Sequence, residues 1–284
     1  PRGIVAAAVA SHFRDVLDGA GIAGGRELRA LVFLVIAATV TIQGLTGGPV
    51  ARLLRVALPP PRGWGILGAN ALGRTLARLL GEPVTLVDTN PDHCRTARRE
   101  GLVAWAGNAL DESVFRRSGL DERRHFLAVT PNEEVNFLFA GRVRELQREA
   151  GIWVALRRDH DAIRPEMLGP IGAEILFDSE RAIELWSLRL ERRLAVVESW
   201  RAEENEPSLP REEASGALAS FLPLVLFRDD RPAPLGTKSK PRKGDRLAVA
   251  LFTEEQRDAE ARLALGGWKR IEDEPAPPDA VAPA

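Results

Sequence analysis

Between Trp64 and Asp88 the chain reads as a short apolar strand, a glycine turn (Gly68-Ala69-Asn70-Ala71-Leu72-Gly73-Arg74), a helix with apolar residues at Leu72, Leu76, Leu79 and Leu80, and a second apolar strand, Val84 to Val87, that ends in a carboxylate. In that order, these pieces form one half of a dinucleotide-binding fold. Gly68 permits the sharp exit from the strand, and Gly73 lets the helix pack closely on the sheet. The helix start presents free N–H groups and a partial positive charge to a phosphate. Asp88 stands about 20 residues beyond Gly68, where a carboxylate accepts both hydroxyls of an adenosine ribose and repels a 2′-phosphate. Gly68 to Gly73, with Asp88 and the adjoining Thr89, are therefore the expected nucleotide contacts.

One position departs from the fingerprint. The middle glycine of G-x-G-x-x-G is Asn70, which tolerates unusual backbone angles but adds bulk where a diphosphate would lie. This leaves a mononucleotide open beside a dinucleotide, so the expected ligand is NAD(H) or an adenine nucleotide such as ATP, ADP or AMP. Gly63-Trp64-Gly65-Ile66-Leu67-Gly68 matches the glycine pattern literally. It follows Pro59-Pro60-Pro61-Arg62, which cannot supply the required strand, and it is rejected.

The 284 residues suffice for two domains with a substantial core. Thirty-nine Lys and Arg balance 40 Asp and Glu, so no overall charge draws the chain to nucleic acid, and none is expected as a partner. Cys94 is the single cysteine, which excludes an intrachain disulfide. His12, His93, His125 and His160 are scattered, without metal-ligand or catalytic spacing. A hydride-transfer enzyme would need a His, Lys or Tyr facing the nicotinamide, yet Tyr is absent and no His or Lys stands at a suitable strand end. The expectation is a regulatory protein, not an enzyme, with no catalytic or metal-binding residues.

Residues 30–51 carry no charge and are bracketed by Arg26 and Arg29 before, and Arg52 and Arg55 after. At helical rise this run covers about 30 Å, the thickness of a bilayer core. It reads as a membrane helix whose Thr39, Thr41, Gln43 and Thr46 would suit a face packed on other helices. The small apolar segment from Arg2 to Ser11 reads as a second helix too short to span alone, as though the chain began inside a longer protein. Pro59-Pro60-Pro61 is expected as a stiff linker.

After Asp88, strands and helices alternate. Val103 to Ala106, His125 to Thr130 and Ile152 to Leu156 read as strands. Asp111 to Arg117 and Pro131 to Glu149 read as helices. The expected fold class is α/β, a Rossmann-like doubly wound parallel sheet, preceded by one or two transmembrane helices and followed by a small α+β domain. Glu174 to Phe177 reads as a last strand, Ser179 as an N-cap, and a helix carries Ile183, Trp186, Leu188 and Leu190. Leu194 to Trp200, Phe221 to Phe227 and Leu247 to Phe252 read as further strands, the last two separated by a basic loop with Lys238, Lys240, Arg242 and Lys243. A helix from Glu254 to Leu265 ends at Gly266-Gly267, and the tail from Glu272 is expected to be disordered.

Gly68-Ala69-Asn70-Ala71-Leu72-Gly73-Arg74, Val87-Asp88, Gly107-Asn108-Ala109 and Ala128-Val129-Thr130 with Asn136 downstream resemble the RCK (TrkA-N-like) nucleotide-binding domain that regulates potassium channels and transporters. That resemblance implies that Asn108, Ala109 and Thr130 border the base or ribose, although the family usually carries Asp where Asn108 stands. Pro1 to Ala7 and Thr39 to Thr46 resemble the last two membrane helices of NhaP-type monovalent cation:proton antiporters. Arg228 to Arg231 and Lys243 to Arg246 resemble a TrkA-C-like domain.

Together these resemblances imply membrane helices over 1–56, a nucleotide-binding domain over 57–158, a connecting helix region over 159–205, an RCK C-terminal-like domain over 206–270 and a tail over 271–284. The implied partners are the rest of an antiporter membrane domain, a second copy in a homodimer, a monovalent cation and a proton. The implied location is the cell inner membrane, multi-pass, with residues after about 56 cytoplasmic. A membrane-anchored regulator of a potassium channel or a Trk-type uptake system is the alternative, and an NAD-dependent oxidoreductase is the least favoured reading.

Overall fold

The computed structural model describes residues 2–54, 60–81, 83–156, 163–177, 183–209 and 220–271. The expected linker residue Pro59, the N-cap Ser179 and the tail from Glu272 lie outside them. Contacts divide the chain into two units, Pro1–Pro60 and Pro61–Ala284.

The first unit is a helical hairpin, α1 (Arg2–Gly19) against α2 (Gly25–Leu53). Helix α1 runs past Ser11, through His12 and Asp18, because Arg14 and Asp18 pair one turn apart at 3.4 Å and extend it. Asp15 and Asp18 therefore lie within the helix. Within α2, Gly25–Val50 is long and apolar enough to cross a membrane, and its side chains are exposed. Its threonines do not need neighbouring helices. Thr39, Thr41 and Thr46 donate to carbonyls one turn back, at 2.7, 2.7 and 2.6 Å, so the hydroxyls are satisfied inside the helix itself.

The second unit contains two sheets. The first has six parallel strands in the order β3-β2-β1-β4-β5-β6, where the strands are β1 (Trp64–Leu67), β2 (Val84–Asp88), β3 (Val103–Ala106), β4 (His125–Ala128), β5 (Gly151–Ala155) and β6 (Ala173–Leu176). Helices α3 (Ala71–Leu80), α4 (Pro91–Arg99), α5 (Glu112–Arg117), α6 (Glu133–Leu146) and the short α7 (Leu168–Ile171) make the crossovers. This is the expected doubly wound fold, and its strand order reverses between β1 and β4, so a crevice opens at their carboxyl ends. β1 is buried at every position, as suits an apolar central strand covered on both faces.

After α8 (Ile183–Glu191) comes an antiparallel sheet in the order β11-β7-β10-β8-β9. It is formed by β7 (Ala195–Ala202), β8 (Phe221–Arg228), β9 (Arg231–Pro234), β10 (Arg246–Phe252) and β11 (Trp268–Arg270), with α9 (Gln256–Leu265) between the last two. Pro223 is accommodated within β8 by a bulge opposite Ala248 and Val249.

Three boundaries shift from those read in the sequence. The parallel sheet does not stop at 158, because β6 pairs with β5 over Ile152 to Leu176. The antiparallel sheet starts at Ala195, ahead of 206. The basic loop is interrupted by β9, which the two left-handed residues Asp229 and Asp230 fold back onto β8.

The two sheets share a core. Leu72, Leu76, Leu80 and Trp186 lie in one apolar cluster with Leu222, Leu224, Phe227, Ala248 and Ala250 of the antiparallel sheet. At the sheet edge, Phe177 N–H donates to the Leu235 carbonyl at 2.9 Å and Thr237 N–H to the Ile175 carbonyl at 3.2 Å, covering β6 as an exposed edge strand requires. The consequence falls on α3. Nine of its ten residues are buried, since it contacts β1 and β2 on one side and α8, β8 and β9 on the other.

Candidate functional site

The carboxyl ends of β1, β2 and β4 meet at the glycine turn. Gly68 leaves β1 with φ +108°, and a Cβ there would stand 3.1 Å from the Val129 carbonyl. A Cβ on Gly73 would meet the Gly68 carbonyl at 2.0 Å, an impossible contact, so the start of α3 lies directly against the turn. The pattern Gly63 to Gly68 straddles β1, which begins at Trp64, and has no phosphate-facing helix start.

Asn70 is where the structure adds most to the sequence reading. Its side chain is 5% exposed and engaged at both ends: Oδ1 accepts from the Gly73 N–H at 2.9 Å as the N-cap of α3, and Nδ2 donates to the Val129 carbonyl at 2.8 Å. The residue ties the helix start to the end of β4. Among the described residues, the N–H groups of Ala71 and Leu72, one and two positions into α3, meet no protein acceptor. They are the donors a helix start leaves for an anion.

Asp88, at the end of β2, reaches back to the turn. Its Oδ2 accepts the Ala69 N–H at 2.8 Å, its Oδ1 accepts the Asn90 N–H at 2.9 Å, and His93 Nδ1 lies 3.0 Å from Oδ2. A carboxylate only accepts, so this imidazole nitrogen carries the proton. His93 is placed here because Asn90 caps α4 through the Asp92 N–H and Pro91 opens the helix, setting His93 in its first turn. Cys94 turns inward and hydrogen bonds to the Trp105 carbonyl at 3.2 Å. Burial, with a further push from the Asp88 charge, raises its thiol above the ordinary value and keeps it unreactive.

The other expected residues lie on flanking loops. Asn108 Oδ1 accepts the Leu110 N–H at 3.1 Å, an Asx turn beyond β3, and Ala109 is buried beneath it. Thr130 is clamped by the fully buried Asn136, whose Oδ1 takes the Thr130 hydroxyl at 2.6 Å and the Thr130 N–H at 3.1 Å, while its Nδ2 donates to the Thr130 and Ala155 carbonyls.

Arg74 carries information that its place in a glycine motif did not reveal. Although charged, it is 5% exposed. It donates to the Ala69 carbonyl at 3.1 Å and pairs with Glu100 at 2.9 Å and Glu191 of α8 at 2.6 Å. The sequence signal was an arginine on what reads as the polar face of an amphipathic helix, with no hint that a second sheet covers that face. Among the described residues, no group of His, Cys, Asp and Glu is arranged to hold a metal.

Residues 64–176 match the TrkA-N domain. Over 120 residues the chain is 29% identical to a Trk system potassium uptake protein TrkA homolog of Methanothermobacter thermautotrophicus, which covers 41% of this chain and 54% of that protein. Over 83 residues it is 29% identical to an uncharacterised protein of Methanocaldococcus jannaschii, covering 28% of this chain and 17% of that protein. The matched segment thus spans about half of one relative and less than a fifth of the other. Among solved structures, the TrkA-N domain of the inner membrane protein YbaL from Escherichia coli aligns with 19% identity and a TM-score of 0.39, covering 47% of this chain and 98% of that one. The GsuK RCK domain aligns with 18% identity and a TM-score of 0.35, covering 74% and 48%.

Proposed function

We propose that the chain, built around the TrkA-N domain at residues 64–176, is a nucleotide-sensing regulatory region joined to a membrane-embedded monovalent-cation transporter. The observation that carries the reading is the glycine turn between β1 and α3, where the Ala71 and Leu72 N–H groups meet no protein acceptor and Asp88 stands at the adjacent strand end. These residues fit an adenine nucleotide: Ala71 and Leu72 would hold a phosphate, Asp88 the ribose, and Thr89, Asn108, Ala109 and Thr130 would border the base or ribose. The Asn70 amide is folded into the turn, so the bulk expected at that position is already absorbed and NAD(H) fits alongside ATP, ADP and AMP.

The residues also supply a route for regulation. A ligand at the start of α3 acts on a helix that touches both sheets and that holds α8 through Arg74 and Glu191. Two arrangements of that contact with unequal nucleotide affinity would transmit occupancy to whatever the chain is joined to. Gly25–Val50 of α2 is the proposed membrane anchor, with the second unit cytoplasmic, as the location of adenine nucleotides requires, and a homodimer as the proposed assembly.

Two readings of the transporter stand side by side. The resemblance of α1 and α2 to the last helices of NhaP-type antiporters favours cation:proton exchange with the rest of an antiporter as partner. The 29% identity to a Trk system potassium uptake homolog favours a potassium channel or uptake system. The coding sequence upstream separates them: membrane helices bearing Asp or Glu support the antiporter, and a pore loop rich in Thr, Val and Gly supports the channel. Nucleotide binding itself is tested by calorimetric titration of the full chain in detergent with NAD, NADH, ATP, ADP and AMP, alongside Asp88→Ala. Binding that the substitution abolishes supports the reading, and a folded chain that binds none of the five refutes it.

A further inference from the structure

The acceptor capacity of Asp88 is nearly used up by the protein. A carboxylate offers about four lone-pair positions. Three are taken, two on Oδ2 by the Ala69 N–H and His93, and one on Oδ1 by the Asn90 N–H. The two backbone donors belong to the glycine turn and to the capped entry of α4, and they cannot leave without unmaking those turns. His93 differs. Its side chain is 42% exposed against 13% for Asp88, and a change of rotamer would carry it into solvent. A ribose diol that donates both hydroxyls to Asp88 needs two positions, and one is left.

We propose that His93 is a displaceable occupant of the ribose position, so that its imidazole and a nucleotide compete for Asp88. The inference rests on the nucleotide reading above. The imidazole N–H and a ribose hydroxyl are donors to the same carboxylate. A diol that needs two positions must therefore displace the ring before it can donate both hydroxyls.

The test is calorimetric titration of the full chain in detergent with NAD at one pH and constant ionic strength. His93→Ala should bind about three- to fivefold more tightly than wild type, the scale of one partly exposed hydrogen bond to a carboxylate. His93→Gln, whose side-chain amide can still donate to Asp88, should bind closer to wild type than to His93→Ala. Binding by His93→Ala no tighter than wild type overturns the proposal, and weaker binding would make the imidazole a ligand contact. His93→Gln binding as tightly as His93→Ala overturns it as well. A folded wild type that binds no NAD overturns the nucleotide reading and this inference together.

Discussion

Replacing Asn70 separates the two bonds that its side chain makes. Asn70→Ala removes the N-cap of α3, a loss of about 1 kcal/mol. It also removes the donor to the Val129 carbonyl, and Val129 is wholly buried, so the stranded acceptor adds about 1–3 kcal/mol. The sum is about 2–4 kcal/mol. Asn70→Ser restores a capping oxygen that is too short to reach Val129, so it should recover about 1 kcal/mol of that loss. In a folding unit of this size each kcal/mol moves the melting temperature by about 2–4 °C, so Asn70→Ala should melt about 4–16 °C below wild type, with Asn70→Ser between them.

Tryptophan emission reports the transition directly. Trp64 at the start of β1 packs against His125 and Trp153 at ring separations of 4.7 and 5.5 Å, within the sheet that carries the turn. The reasoning is refuted if Asn70→Ala melts with wild type, since a doubly bonded buried amide cannot be lost without cost. It is also refuted if Ala and Ser variants coincide, which would assign nothing to the cap. Because neither bond involves ligand, Asn70→Gly should keep nucleotide binding while losing stability.

Other expectations are independent of this one. Gly73→Ala should destabilise the second unit by about 1–3 kcal/mol in urea, because its Cβ would meet the Gly68 carbonyl at 2.0 Å. Gly141→Ala, inside α6 and facing open space, should instead stabilise it by about 0.5–1 kcal/mol, so the two substitutions should move the midpoint in opposite directions. In the antiparallel sheet, burial alone would raise the Asp245 carboxyl, but hydrogen bonds from Arg228 and the Arg242 N–H outweigh it and lower its pKa. A depressed carboxylate gives stability that is present above the unfolded value, about 3.9, and is lost as pH falls through the folded one. Arg228→Ala removes the main cause of that depression, so its deficit against wild type should be largest near neutral pH and shrink as pH falls through the wild-type folded value, in an acid titration followed by fluorescence. At neutral pH the same variant should cost about 1–3 kcal/mol, since Asp245 stays buried while the lost guanidinium was partly exposed.

The glycine turn, the strand ends and Asp88 were legible in the sequence because each depends on near neighbours: a turn needs its glycines, a helix its period, a strand its apolar run. The parallel sheet followed from the alternation of those elements. What stayed hidden depends on residues far apart in the chain. Asn70 read as an obstruction because its donor finds Val129, which is 59 residues on. Arg74 gave no sign of its burial because the carboxylates that pair with it, Glu100 and Glu191, lie elsewhere in the chain, the second 117 residues on. His93 looked like one of four scattered histidines until the turn at Asn90 brought its ring to Asp88. β6 was read as a last strand but assigned to the connecting region over 159–205, since its pairing with β5 leaves no local mark. The short edge strands β9 and β11 were missed for the same reason, each having too few residues to show a period of two.

Amide hydrogen exchange across the turn tests the central claim most directly. The full chain in detergent is compared with and without saturating NAD, and peptides covering Leu67 to Thr75 and Asp88 to Cys94 are followed. The free N–H groups of Ala71 and Leu72 are predicted to become protected on binding, with a smaller change around Asp88 and His93. Exchange that stays unchanged in both peptides while calorimetry registers bound nucleotide would place the ligand elsewhere and contradict the account.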